Sequence, residues 1–218
     1  ASPAPGADAF RWFFFASNPP WNPTRLSLGA VRATQRELPL TLRNVHSFFA
    51  IYANIDGFSP ADPACRAGRR AVSERALLDR WILSEQALTT RAVIDHMDGY
   101  RLYEATRALT DVVDALSNWY VRRSRDRFWA PGLGPDKLDA HWTLYECLTG
   151  LAGLLAPFLP FATEELWQNL VRRPRGDEAP ESVHLGDYPE PDVAAIDERL
   201  SRVMGTVREL VSLGREVR

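Results

Sequence analysis

Arg122, Arg123, Arg125 and Arg127 fall within six positions, bracketed by Trp119, Tyr120, Phe128 and Trp129. A guanidinium offers a planar fork of donors that fits a phosphate, and an aromatic face accepts a stacked base. The mixture describes a surface for nucleic acid. A structural account competes with it. Arginines in the last turns of a helix offset its macrodipole, and Asp126 stands four residues from Arg122. Composition alone does not separate the two.

Catalytic chemistry has less footing. His46, His96, His141 and His184 lie on different elements, with His46 and His141 beside apolar stripes as core or boundary residues. Glu181 and His184 have the spacing of a carboxylate-bridged metal pair, but once only and in a proline-bounded segment. Such a site needs a second pair and two more glutamates from facing helices, so no metal ligand is assigned. Ser84, Ser117 and Ser124 have no histidine at a spacing that brings it close, and no glycine-rich phosphate loop is present. No catalytic residue is expected.

The arginines belong to Asp111–Trp129, DVVDALSNWYVRRSRDRFW. It opens as a helix with Val112, Leu116 and Trp119/Tyr120 apolar. Asp111, Asp114, Asn118, Arg122 and Arg125, at steps of three and four, share one polar face. Trp119 and Tyr120 together span too wide an arc for equal burial, so one belongs at the edge of the outer face. Arg122 and Arg125, ranked with Asn118, are the expected phosphate contacts. Arg123 lies nearer the apolar stripe, where it could brace the bundle instead.

Helical spacing also runs through the rest of the chain. Ala7–Ser17 predicts a short helix, apolar nearly all round and so buried, stopped by the prolines at 19, 20 and 23. Thr24–Asn54 predicts a long helix that Pro39 kinks or splits, with Gly57 as terminator. Ser73 is placed to cap a helix over Glu74–Met97, whose inner face would be Leu77/Leu78, Trp81, Leu88 and Ile94. After a turn at Asp98-Gly99 the signature helix starts near Tyr100. Asp136–Ala156 is strongly apolar and Phe161–Val171 shorter, with Leu166, Trp167 and Leu170 inward. Arg172–Asp192 is Pro-rich and irregular, with a short extended piece expected at Ser182–Leu185. Val193–Arg218 returns to helical spacing through Ile196, Leu200, Val203, Val207, Leu210 and Leu213. The fold class is all-α, a bundle of about six or seven helices. The division expected is a bundle over residues 1–172, a connector over 173–191 and a helix over 192–218 that begins a C-terminal region.

A chain of 218 residues can bury roughly 70% of its unfolded surface, enough for one large domain. Its net charge of −2 supplies no global attraction to nucleic acid, so affinity must come from local patches. Lys137 is the single lysine, an arginine bias that runs throughout and fits GC-rich coding. Cys65 and Cys147 make neither a disulfide framework nor a zinc knuckle. No run reaches the ~20 apolar residues of a membrane span and no signal peptide opens the chain, so a cytoplasmic, membrane-free protein is expected.

Leu116–Trp129, LSNWYVRRSRDRFW, closely resembles a stretch of the anticodon-binding domain of isoleucyl-tRNA synthetases. Valyl and leucyl relatives share the bundle, but their arginine run differs. Gly6–Trp12 resembles the segment just downstream of the ATP-contacting Lys-Met-Ser-Lys-Ser loop, while that loop and the His-Ile-Gly-His type signature are missing here. Asn44–Phe58 is similar to the eukaryotic-like branch, although Arg43 and His46 stand where aromatics are expected. Leu78–Leu83 and Ser182–Leu185 look like the same family. Leu154–Phe161 with Glu164–Trp167 is common to class I synthetases for branched aliphatic amino acids.

The resemblance implies an anticodon-stem-and-loop domain detached from its catalytic core. Its tRNA-binding residues would be Asn118, Trp119, Tyr120, Arg122, Arg123 and Arg125. It implies a parent that activates isoleucine with ATP and Mg²⁺ and esterifies tRNA, with no cofactor in this stretch. The implied partners are tRNA and the parent's catalytic domain, in a monomer. Two alternatives stand beside it: a free-standing helical paralogue serving RNA or protein contacts, and a complete enzyme on a helical bundle.

Overall fold

The computed structural model describes residues 4–216, and every regular element among them is helical. Ala1–Pro3, and Val217 and Arg218 at the end of the last expected helix, lie outside the described residues. The first helix, α1 (Ala7–Ala16), buries Ala9, Trp12 and Phe13. It is not buried all round as expected, because Phe14 on its outer side is exposed.

Pro39 splits the next helix instead of kinking it. Ser27 caps α2 (Leu28–Arg36), Glu37 breaks the ladder at ψ −98°, and α3 (Leu38–Asp56) begins with Pro39 in its first turn. Proline is tolerated there because first-turn amides have no helical acceptor. Gly57 ends α3 at φ +68°, a left-handed cap that costs glycine no steric strain. Asp62 caps the short α4 (Pro63–Ala67) by accepting the Ala64 and Cys65 amides.

Ser73 is not a cap. It lies in a 3₁₀ turn, Val72–Glu74, and α5 (Leu77–Asp98) starts three residues later than expected. The cause is Arg75, whose guanidinium is buried against Glu146 and Thr143 and holds the backbone extended ahead of the helix. The inner face of α5 is Trp81, Ile82, Ala87 and Val93, while Leu77 is exposed.

The signature helix begins as α6 (Leu102–Asp114). It passes without a break through a π-helical stretch, Ala115–Val121, into α7 (Arg122–Trp129). Pro135 opens α8 (Pro135–Leu155), which is the centre of the bundle. It packs against α3, α5 and α7, and Leu144, Leu148, Leu151 and Leu155 are fully buried. Each such leucine is worth roughly 1.5–3 kcal/mol of burial.

Past Pro157, α9 (Pro160–Trp167) also contacts α8, and a π-helical turn carries it through Arg172 into α10 (Arg173–Arg175). Asp8 of α1 caps α9 from outside, accepting the Ala162 amide at 2.7 Å. Ser182–Leu185 is a 3₁₀ turn rather than an extended piece. Glu164 folds it back onto α9, accepting the Ser182 hydroxyl at 2.8 Å and the Val183 amide at 3.1 Å.

The last helix, α11 (Glu198–Glu216), is capped by Asp197 and begins later than Val193. It does not present the expected face to the core. Leu200 and Met204 face inward, and Val203, Val207, Leu210 and Leu213 are exposed. Docking is set instead by polar contacts to α5: Ser84 accepts the Asp197 amide at 2.8 Å and meets the Ser201 hydroxyl at 3.0 Å.

Candidate nucleic-acid interface

The π-helical stretch falls on the signature, from Ala115 to Val121. Wide turns of this kind recur at functional sites because they re-aim side chains without ending the helix. Here the neighbours Trp119 and Tyr120 separate as their spacing requires. Tyr120 is 0% exposed, and Trp119 is half-buried at the surface.

Tyr120 therefore corrects the expected set: its side chain is closed off from any RNA. Its hydroxyl donates to Asp79 Oδ1 at 2.6 Å, and Asp79 on α5 is itself fully buried. Arg127 completes the arrangement with two parallel bonds to the Asp79 carboxylate, at 2.9 and 2.8 Å, and a third to Asp136 at 3.0 Å. Burial works against the Arg127 charge, but the bonds to Asp79 outweigh it and raise its pKa. Burial, followed by the Asp79 charge, pushes the Tyr120 phenol well above its ordinary value. One of the four arginines is thus a brace joining α5, α7 and α8.

The other three point outward. Arg122, Arg123 and Arg125 are exposed, and among the described residues neither Arg122 nor Arg125 has a hydrogen-bond or ion-pair partner. Asp126 does not pair with Arg122. Arg123 lies over the Trp119 ring at 5.4 Å, keeping the charge at the surface while covering the indole. Asn118 is exposed and donates to Asp114 at 2.6 Å, which fixes its amide. The expected phosphate pair, Arg122 and Arg125, is thus available, and Arg123 is positioned rather than buried.

Arg208 and an outer stripe of α3 were not read from the sequence. Arg208 of α11 pairs with Asp114 at 3.1 Å and lies 5.9 Å from both the Trp81 and Trp119 rings. No local signal could reveal a partner 94 residues away. At the end of α7, Trp129 is 57% exposed, and its indole donates to the Tyr52 hydroxyl of α3 at 2.7 Å. On α3, Asn44, Ser47, Ile51 and Ile55 share an exposed stripe at helical spacing. Arginine, indole and this stripe form the combination of charge and flat apolar surface that suits an RNA backbone and unstacked bases.

His46, His141 and His184 are accounted for by their neighbours. His141 is fully buried, with Nε2 2.8 Å from Asp56, and Lys137 donates to the same carboxylate at 2.5 Å. His46 is half-buried near Glu165, and the His184 ring meets the Pro160 carbonyl at 3.1 Å. Among the described residues no group of three or more His, Cys, Asp or Glu could hold a metal ion, and no helix is long and apolar enough to cross a membrane.

Comparison with known proteins agrees with this geometry. The family described as "Anticodon-binding domain of tRNA ligase" matches residues 79–218, which include the signature helix and α11. The isoleucine–tRNA ligase of Clostridium tetani is 46% identical over 213 residues, 98% of this chain and 20% of that protein. That of Thermobifida fusca is 47% identical over 214 residues, again 98% and 20%. The chain thus spans about a fifth of the length of the curated relatives it matches. Among solved structures, the ternary complex of Agrobacterium radiobacter K84 agnB2 LeuRS with tRNA and LeuAMS aligns with a TM-score of 0.56 at 18% identity. The alignment covers 89% of this chain and 20% of that one, a likeness of fold. With an all-helical bundle and a family match over most of its length, the chain belongs to the anticodon-binding domains of tRNA ligases.

Proposed function

We propose that this chain is the tRNA-holding part of an isoleucine–tRNA ligase, whose whole chain activates isoleucine with ATP and esterifies tRNA. The observation that carries the reading is the outward set of Arg122, Arg123 and Arg125 around a half-exposed Trp119, on a helix whose inner side is locked through Tyr120 and Arg127. Phosphates meet Arg122 and Arg125, and Asn118 and Trp119 lie close enough to approach a base. ATP and Mg²⁺ would belong to the parent's catalytic part. The apolar side chains left exposed at Phe14, Trp21, Leu26 and Leu28 suit contact with the remainder of such a chain. A monomer working in the cytoplasm is the setting that fits this role.

The test is Arg122→Ala with Arg125→Ala. Each lost phosphate contact should lower the log–log salt slope of tRNA binding by about 0.7 to 0.9, with helix content and melting nearly unchanged. Unaltered affinity and slope would mean that the two arginines are merely solvated. Isoleucine-dependent ATP–pyrophosphate exchange by this chain alone would show that catalytic residues had been overlooked.

A further inference from the structure

A second cluster of arginines gathers away from the signature helix. Arg66 on α4, Arg69 just beyond it and Arg175 on α10 line a cleft of about 470 Å³ whose floor is Trp142 and Tyr145 of α8. These residues are far apart in sequence, so no motif announces them.

Each side chain is held differently. Arg69 lies over the Trp142 ring at 5.1 Å and donates to Glu146 at 2.8 Å. Arg66 donates through Nε to the Pro60 carbonyl at 2.8 Å and stands 3.7 Å from exposed Glu178. Arg175 is exposed, with no partner among the described residues. Three guanidinium groups thus face two carboxylates, and one of these, Glu146, is already bonded to the buried Arg75. The cleft is left with surplus positive charge and unspent donors.

Tyr145 is the second observation. Its side chain is only 9% exposed, yet its hydroxyl has no hydrogen-bond partner among the described residues. Burial raises the phenol's pKa, while Arg175, Arg66 and Arg69, which line the same cleft, oppose the rise. The hydroxyl is not closed off from solvent, so its donor stays open to an incoming acceptor.

We propose that Arg66, Arg69, Arg175 and the Tyr145 hydroxyl form a phosphate-binding cleft that takes a backbone phosphate of the bound tRNA. The inference rests on the tRNA-binding reading above, and extends it to a second face. Guanidinium forks supply paired donors for phosphate oxygens, and the phenol supplies a neutral donor from the floor. The cleft and the signature helix are joined through α8. Lys137 of α8 donates to the Ala130 carbonyl at the end of α7 at 2.9 Å. Tyr145 follows eight residues later on the same helix, about 12 Å farther along its axis.

The experiment measures tRNA affinity of the 218-residue chain across a potassium chloride series, with an inorganic phosphate titration followed by ³¹P relaxation. Arg66→Ala with Arg175→Ala should lower the salt slope by about 0.7 to 0.9 and the affinity by about tenfold. It should also abolish inorganic phosphate binding. Tyr145→Phe removes a donor and no charge, so affinity should fall severalfold with the slope unchanged. Should the double variant lose helix content, Arg175→Gln alone decides the matter, because the exposed Arg175 makes no hydrogen bond or ion pair among the described residues.

Unchanged affinity and slope in a folded Arg175→Gln chain would overturn the cleft. Loss of inorganic phosphate binding with tRNA binding intact would also overturn it, since the cleft would then serve a free anion. Arg122→Ala with Arg125→Ala, run in parallel, separates the two claims. If tRNA binding responds to that pair but not to the cleft variants, the function stands and the cleft falls. A parent chain that binds no tRNA overturns both.

Discussion

Tyr120→Phe discriminates sharply between what the signature motif resembles and what its geometry does. The hydroxyl donates to Asp79 at 2.6 Å, and that carboxylate keeps both Arg127 bonds when the hydroxyl is removed. The ring remains and fills the same space, so no cavity opens. The cost is then one buried hydrogen bond to a charged group, about 2 kcal/mol within the usual range of about 1.5–3. For a domain of this size that lowers Tm by about 4–8 °C. Asp79→Ala goes much further. It takes two bonds from the partly buried Arg127 guanidinium, which keeps only Asp136, and leaves the Tyr120 hydroxyl with only the Ala140 carbonyl at 3.4 Å, a loss of about 3 kcal/mol or more. Against a total stability of about 5–15 kcal/mol, a large share of the stability would be lost. Thermal and urea unfolding followed by circular dichroism measures both changes, and the urea m-value should stay constant for Tyr120→Phe. Because the residue is fully buried, tRNA affinity of the folded Tyr120→Phe chain should match the parent within about twofold. An unchanged Tm with weakened tRNA binding would refute the assignment and put the hydroxyl on the RNA.

Two further outcomes follow from groups outside the interface. Burial lowers the pKa of both His46 and His141, against the opposing pull of Glu165 and Asp56 respectively. Their neutral forms thus contribute stability that is complete above the ordinary histidine pKa of about 6.5 and is lost as pH falls through it towards the folded values. Unfolding free energy should therefore decline from pH 7.5 to 5.5, and His46→Gln should flatten that decline. A flat profile in the parent would refute it. Glu164→Ala removes the acceptor of the Ser182 hydroxyl and the Val183 amide, so the connector should come loose from α9. Trypsin should then cut after Arg175 several times faster than in the parent, and an equal rate would show that Glu164 is not the clasp.

How far the chain was legible depended on the distance over which each feature is determined. Pro39, Gly57 and Pro135 act within one turn, and the structure ends or begins helices at them. Ser73 failed as a cap because Arg75 is committed to Glu146, 71 residues away. The outer rank of α11 failed for a related reason. Periodicity gives one apolar series through Leu200, Val203, Val207 and Leu210, and only contacts to α5 decide that Leu200, with Met204, is the part covered. The cleft at Tyr145 left no local trace at all, since its arginines come from α4, the loop after it and α10.

The signature helix shows why composition could not choose between an RNA surface and a structural arginine cluster. The structural account fits some of these residues, and the proposed RNA surface falls to the others. Arg127 takes the structural part, bonded at once to Asp79 and Asp136, and Tyr120 joins it. Arg122 and Arg125 keep their donors unspent, and Arg123 covers Trp119 from outside. The two parts depend on each other. A surface arginine discriminates by position only if its helix cannot roll, and the buried bonds of Tyr120 and Arg127 stop α7 from rolling against α5 and α8. The π-helical stretch makes this division possible, because Tyr120 and Phe128 turn inward while Asn118, Arg122 and Arg125 remain outside on one unbroken helix. The same local sequence thus carries the anchor and the contact, separated only by which neighbours each side chain meets.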